Sequence, residues 1–252
     1  MFEHDKKNKA FQILSAYLIV YFLGALIISI IFGLIIKNFN ISMSESDANS
    51  YLNLLTYLVL FVSLIFICYK DLHQDITKLQ EDDVSFLYKV VASYGIFYAI
   101  NLCISMLSQN IDIYANICGN LLGQRNNLVL VSDNQSVIEE ILSSKSAWAM
   151  IISAGILGPI CEEIVFRKSI FDICKTKEMG LIVSSLLFGS IHVISSLGMY
   201  NGLSIILMTI PYVFSGVALG YIYIKNDCNI WVPTTVHIAS NVISILGIML
   251  LY

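Results

Sequence analysis

"AWAMIISAGILGPICEEIVFRKSIF", residues 147–171, decides how this chain is read. Ala147 through Cys161 carries no charge, then Glu162 and Glu163 follow side by side, with Arg167 four positions past the second. So apolar a run belongs in a protein core or a bilayer, and the rest of the chain decides between them. Of 252 residues, 57% are hydrophobic and 13% charged, and the mean hydropathy is +0.78. Soluble domains are about a quarter charged.

Several segments reach the roughly 20 apolar residues that a helix needs to cross a bilayer core. We read seven: Phe11–Ile36, Tyr51–Tyr69, Val90–Ser108, Ala147–Phe166, Gly180–Ile194, Ser204–Ile224 and Trp231–Leu251. The expected fold is all-α, a polytopic transmembrane helical bundle of about seven spans, or eight with a re-entrant or missed segment. It is expected to form a single integral membrane domain over 1–252, with the chemistry-bearing motifs in 147–252. The alternation that marks a β-barrel is not seen. "MFEHDKKNKAF" precedes a long apolar run without a cleavage pattern, so it reads as the approach to a first span rather than a removable leader.

Lysine and arginine orient the spans. Lys6, Lys7, Lys9, Lys70, Lys78, Lys89, Arg167, Lys168, Lys175, Lys177 and Lys225 all fall on one side if the spans alternate, while the long Gln109–Ser146 connection on the other side holds only Arg125 and Lys145. The expectation is a multi-pass protein of the cell membrane, with a cytoplasmic N-terminus. Within that connection, "SDNQSVIEEIL" reads as a short interfacial helix capped by Ser132 or Asp133, with Ile138, Ile141 and Leu142 on its apolar face. A net charge of −4 gives no case for nucleic acid as a partner. The six cysteines are scattered without a CxxC, which predicts neither a zinc ribbon nor a structural disulfide.

A carboxylate in a membrane helix is costly unless it faces protein or water. Glu162 and Glu163 could be the solvated end of the fourth span, with Arg167 and Lys168 as anchors. Spacing adds more. Glu163 and Arg167 stand at i and i+4 and can pair, while Glu162 points about 100° away. Pro159 distorts the helix just before them. In "FGSIH", His192 lies four residues after Phe188, and in "VHIASN", His237 and Asn241 share a face. The other histidines, His4 and His73, are placed in loops. Alone, each intramembrane polar group could be glue between helices. Together, two carboxylates, two imidazoles and an amide are equipment for activating water and stabilising an oxyanion. They could equally bind a metal: Glu162, His192 and His237 are of zinc-ligand type.

The three patterns, EExxxR (Glu162, Glu163, Arg167), FxxxH (Phe188, His192) and HxxxN (His237, Asn241), resemble in content and order those of the CAAX-protease and bacteriocin-processing (Abi) family, which includes the type II CAAX prenyl endopeptidases. The resemblance covers roughly Ala147 to the C-terminus. It implies an intramembrane endopeptidase acting on a membrane-associated peptide or protein tail, with its site opening to the cytoplasmic side. It implies Glu162 as the base that activates water, assisted by His192, with Glu163 orienting and tied to Arg167. His237 and Asn241 would hold the oxyanion. Both zinc-dependent and metal-free mechanisms are compatible with it. Peptide maturation or bacteriocin self-immunity fits the Ile-, Asn- and Lys-rich usage. The alternative is a non-catalytic immunity, scaffold or regulatory protein binding a peptide or partner in the same cavity. Substrate identity and oligomeric state are not legible.

Other peptidase types fail on residues. There is no HExxH, and Ser190 and His192 lie on opposed helix faces. The second acidic pair, Glu139–Glu140, has Ser144 where the motif needs arginine. Depth raises one difficulty: counted from Gly180, His192 lies past mid-membrane while Glu162 is near the cytoplasmic end, so their meeting requires a later start of the fifth span or tilted helices.

Overall fold

The computed structural model of the chain describes residues 2–81, 84–121, 146–200 and 202–251. These residues form seven helical rods and contain no strand beyond one isolated bridge between Leu197 and Tyr200. We number the rods α1 (His4–Phe39), α2 (Glu45–Gln80), α3 (Phe86–Leu121), α4 (Ala147–Ile173), α5 (Lys177–His192), α6 (Gly202–Lys225) and α7 (Trp231–Leu251). The protein is an all-α polytopic bundle. Six of the rods are long and apolar enough to cross a membrane; α5 is not among them. Its 16 residues extend about 24 Å, short of a core of about 30 Å.

Rod ends follow local chemistry. Asn40 closes α1 in the left-handed conformation, φ 49°, as helix C-caps do. Ser44 caps α2, its Oγ accepting from the Asp47 amide at 3.1 Å. The Asp47 carboxylate then accepts from the Ser146 amide at 3.1 Å, which ties the start of α4 to the start of α2. Thr176 caps α5 by accepting from the Met179 amide at 3.2 Å.

Several boundaries differ from the sequence reading. α2 runs on to Gln80 rather than ending at Tyr69, and α3 spans Phe86–Leu121 rather than Val90–Ser108. His4 and His73 are helical, not in loops. The cause is common to all three: water-facing turns continue a helix beyond its apolar stretch, and hydropathy cannot see them. The interfacial helix expected at 132–142 lies outside the described residues.

The lipid-facing surface is overtly apolar. On α1, Phe22, Leu26, Ile30 and Leu34 are all exposed, and none of that rod's most apolar window is buried. In water such a stripe would drive aggregation; in a bilayer it is the expected solvent contact. The core lies at the other faces, where Leu64, Cys68, Ile164, Val165, Phe188, Leu219 and Val236 pack together.

Candidate active site

α4 carries the acidic pair, and its backbone is unusual there. Its turns widen to π-helix over Ile151–Leu157, return to α-helix over Gly158–Glu163, and widen again over Ile164–Ser169. The Gly158 amide reaches back to the Ser153 carbonyl. The distortion expected at Pro159 is therefore present, but as wide turns on both sides of the pair. π-turns of this kind recur at functional sites.

Glu163 is fully buried and so is Arg167. Arg167 Nε stands 3.0 Å from Glu163 Oε2, Nη1 donates to Ser184 Oγ at 2.7 Å, and the guanidinium lies over the Phe188 ring at 5.1 Å. The solvated-end reading of the pair is thus overturned. These charges sit in the core because each neutralises the other.

Glu163 also fixes a ring on α7. His237 Nδ1 lies 3.1 Å from Glu163 Oε1; a carboxylate can only accept, so the proton is on Nδ1 and Nε2 faces away. His192 is arranged in parallel. Its Nδ1 donates to the Phe188 carbonyl at 2.8 Å, and its ring stacks on Tyr212 at 4.7 Å. Both Nε2 atoms face Glu162: Oε2 lies 3.9 Å from that of His192 and 3.8 Å from that of His237. The depth difficulty is thereby resolved, since the short α5 ends at His192 and delivers it to the level of Glu162. Phe188, 1% exposed, wedges the group, with ring centroids 4.6 Å from His192, 5.7 Å from His237 and 5.4 Å from Phe166.

Asn241 is brought to the same wall, one turn beyond His237. Its Nδ2 donates to the Ala154 carbonyl at 2.9 Å, inside the first π-turn, which leaves the second amide hydrogen available. All the sequence-selected residues thus assemble, and Glu162, Phe188, His192, His237 and Asn241 line a cavity of about 830 Å³.

Three contributors had no sequence signal that spacing could reveal: Tyr212 behind His192, Ser184 on Arg167, and Asp75. Asp75 is buried. It receives Lys168 at 3.1 Å, and its backbone carbonyl accepts from Asn229 at 2.6 Å. Lys168 is therefore a tertiary partner and not a simple interfacial anchor.

The donor types and their outer hydrogen bonds suit zinc, but the spacing does not. Two donors on a tetrahedral zinc lie about 3.3–3.4 Å apart, closer than the 3.8 and 3.9 Å observed. No group of three or more His, Cys, Asp or Glu among the described residues is placed to hold a metal. The same separations exceed a direct hydrogen bond, so the carboxylate and the two rings face one another on the cavity wall without bonding directly.

Comparison with known proteins points to the same part of the chain. Residues 144–243 match the family model described as type II CAAX prenyl endopeptidase Rce1-like. A Bacillus subtilis (strain 168) protein named "Putative membrane peptidase YdiL" is 30% identical over 114 residues, 44% of this chain and 41% of that protein. The "UPF0177 protein YajF" of Lactococcus lactis subsp. lactis (strain IL1403) is 37% identical over 60 residues, 24% of this chain and 30% of that protein. The matches thus span less than half the length of either relative. No solved structure matches. The part of the chain that is similar to the Rce1-like CAAX-type family, residues 144–243, is the part that holds the acidic pair, both histidines and the asparagine.

Proposed function

We propose that this protein is an intramembrane endopeptidase that hydrolyses a peptide bond by water activated at Glu162. The observation that carries the reading is the approach of both imidazole Nε2 atoms to within 3.9 Å of Glu162 Oε2 on the cavity wall. A carboxylate flanked by two rings, each with its Nδ1 proton engaged, is built to take a proton and pass it on.

In this mechanism a water between Glu162 and His192 gives its proton to Glu162 as its oxygen attacks the peptide carbonyl carbon. The carbonyl becomes an oxyanion. His237, in its doubly protonated form, donates from Nε2, and Asn241 donates its free amide hydrogen; Glu163 supports the charge on His237 through Nδ1. The C–N bond then breaks, and the proton held by Glu162 and His192 moves to the departing amine. Arg167 pairs with Glu163 and holds it in place without touching substrate.

The substrate class proposed is a membrane-associated peptide or protein tail, in peptide maturation or bacteriocin self-immunity. The lysine-rich rod ends are proposed as cytoplasmic, and the whole chain as one membrane domain. The test is purified protein in lipid vesicles with a panel of short membrane-associated peptides, read by mass spectrometry. Cleavage by the native protein and none by Glu162→Gln supports the reading; cleavage by neither defeats it.

A further inference from the structure

The two histidines are not the whole surround of Glu162. Gly158 and Phe166 stand about one turn before and after it on α4 and share its face. A Cβ at Gly158 would lie 3.5 Å from Cε1 and 3.6 Å from Cζ of Tyr57, so the bare glycine lets the hydroxyl end of that ring, from α2, rest against α4. Phe166 receives Tyr17 of α1 edge-on, with ring centroids 6.1 Å apart. Two phenols from two other rods thus bracket the carboxylate along its helix.

Their placement follows from register. Ala10, Ile13 and Tyr17 form the buried stripe of α1, at the three- and four-residue spacing of one helix face. Ser169 donates to the Ala10 carbonyl at 2.7 Å, and Tyr17 meets Phe166, so the contacts run in opposite chain order and α1 is antiparallel to α4. The next turn of the stripe carries Tyr21 toward the level of Glu162. Its ring stacks on Tyr17 at 5.4 Å and limits how Tyr17 can turn. Tyr17, Tyr21 and Tyr57 line the same cavity as Glu162.

Tyr17 is only 4% exposed. A buried phenol ordinarily finds a hydrogen-bond partner, yet among the described residues neither the Tyr17 nor the Tyr57 hydroxyl forms a hydrogen bond. Packing alone would be served as well by phenylalanine, as it is at Phe166 and Phe188. A hydroxyl held at the cavity wall beside the carboxylate suits a ligand with acceptor oxygens, and a peptide backbone offers them. To be cut, a membrane-associated segment must be unwound, and its carbonyls then lose their helical partners where lipid supplies none.

We propose that Tyr17 and Tyr57 form a substrate-binding subsite, their hydroxyls donating to backbone carbonyls of an unwound peptide segment on either side of the bond addressed by Glu162. This rests on the peptidase reading above and assigns it binding residues from α1 and α2, outside the three motifs.

The test separates binding from turnover. Glu162→Gln in lipid vesicles is the parent for binding. The probe is a dye-labelled leucine–alanine peptide with blocked ends, because backbone recognition does not depend on side chains, and protein-free vesicles are the blank. Tyr17→Phe and Tyr57→Phe keep the rings and lose only the hydroxyls. Each should weaken binding about two- to tenfold, and the double variant should lose more than either. Tyr69→Phe, an exposed ring on α2, should bind as the parent does. With Glu162 restored and a peptide that is cleaved, the two tyrosine variants should raise KM by a similar factor, more than they lower kcat. A fall in kcat or in melting temperature without a rise in KM marks a packing role and overturns the proposal. Equal affinity of the parent and both tyrosine variants overturns it too, as does no binding above the blank. Tyr57→Phe carries the test if Tyr17→Phe does not accumulate. Hydroxyl-dependent binding with no cleavage of any peptide by the native protein sinks the peptidase reading alone and leaves the subsite standing.

Discussion

Arg167 lies one helical turn past Glu163, and the two meet at 3.0 Å with neither side chain exposed at all. The pair is the anchor of the site, because the other oxygen of Glu163 holds the His237 ring at 3.1 Å. A surface ion pair of the same length would contribute little. Here, loss of either partner strands a charge in the core.

Arg167→Ala should therefore lower stability by about 3–5 kcal/mol, the cost of leaving one member of a buried pair uncompensated. Lys168→Ala removes a hydrogen-bonded contact to Asp75, which keeps Lys78 at 3.5 Å, and should cost about 1.5–3 kcal/mol. Membrane abundance and thermal unfolding of the two variants in detergent check the order. Equal stability would refute the anchoring role of Arg167.

Glu162→Gln keeps the shape of the side chain and removes the base. Activity should fall by about 10²–10⁴ with normal abundance, since an amide is easier to bury than a charge. His192→Ala should follow it if both act on one water. Glu139→Gln and Glu140→Gln, in the second acidic pair, should leave peptide cleavage close to native. Full activity of Glu162→Gln at normal abundance would rule out a glutamate mechanism.

Phe188→Ala should destabilise the fold by about 3–5 kcal/mol, as for other buried aromatics. It should also reduce activity in the surviving folded fraction, because the ring contacts both histidines. The check is turnover per folded molecule alongside the melting temperature; an effect on stability alone would confine Phe188 to packing.

Gly189 sits where α5 crosses α6. A methyl group there would run into the Val213 side chain and stand 3.0 Å from the Val213 backbone nitrogen. Gly189→Ala should cost about 1–3 kcal/mol through overpacking, and because His192 lies one turn on, it should also lower turnover. Gly216→Ala, 3.0 Å from Ser185 Cα across the same contact, should cost a similar amount with less effect on turnover. Similar turnover losses in both variants would show that α5 moves as a whole.

A cysteine introduced at position 133 should label in intact cells with an impermeant reagent, placing the 109–146 connection outside. Labelling only after permeabilisation would invert the assignment of the lysine-rich ends.

The sequence by itself determined that the chain is a helical membrane protein, because hydropathy depends on composition over about 20 residues and not on contacts. It also singled out residues that the structure brings together. Glu163 with Arg167, Phe188 with His192, and His237 with Asn241 are each one turn apart, so helical periodicity alone puts each pair on a common face. The tertiary structure decided what periodicity along one helix cannot. It joined the three faces, set Glu162 Oε2 3.9 and 3.8 Å from the two imidazoles, and supplied Tyr212, Ser184 and Asp75 from distant positions. It also decided the depth of His192, which hydropathy had placed too far along its span, because the end of α5 is fixed by packing against α6 and not by the length of an apolar run. The meeting of Asp75 with Lys168 at 3.1 Å was likewise beyond the sequence, because residues so remote carry no mark of their contact.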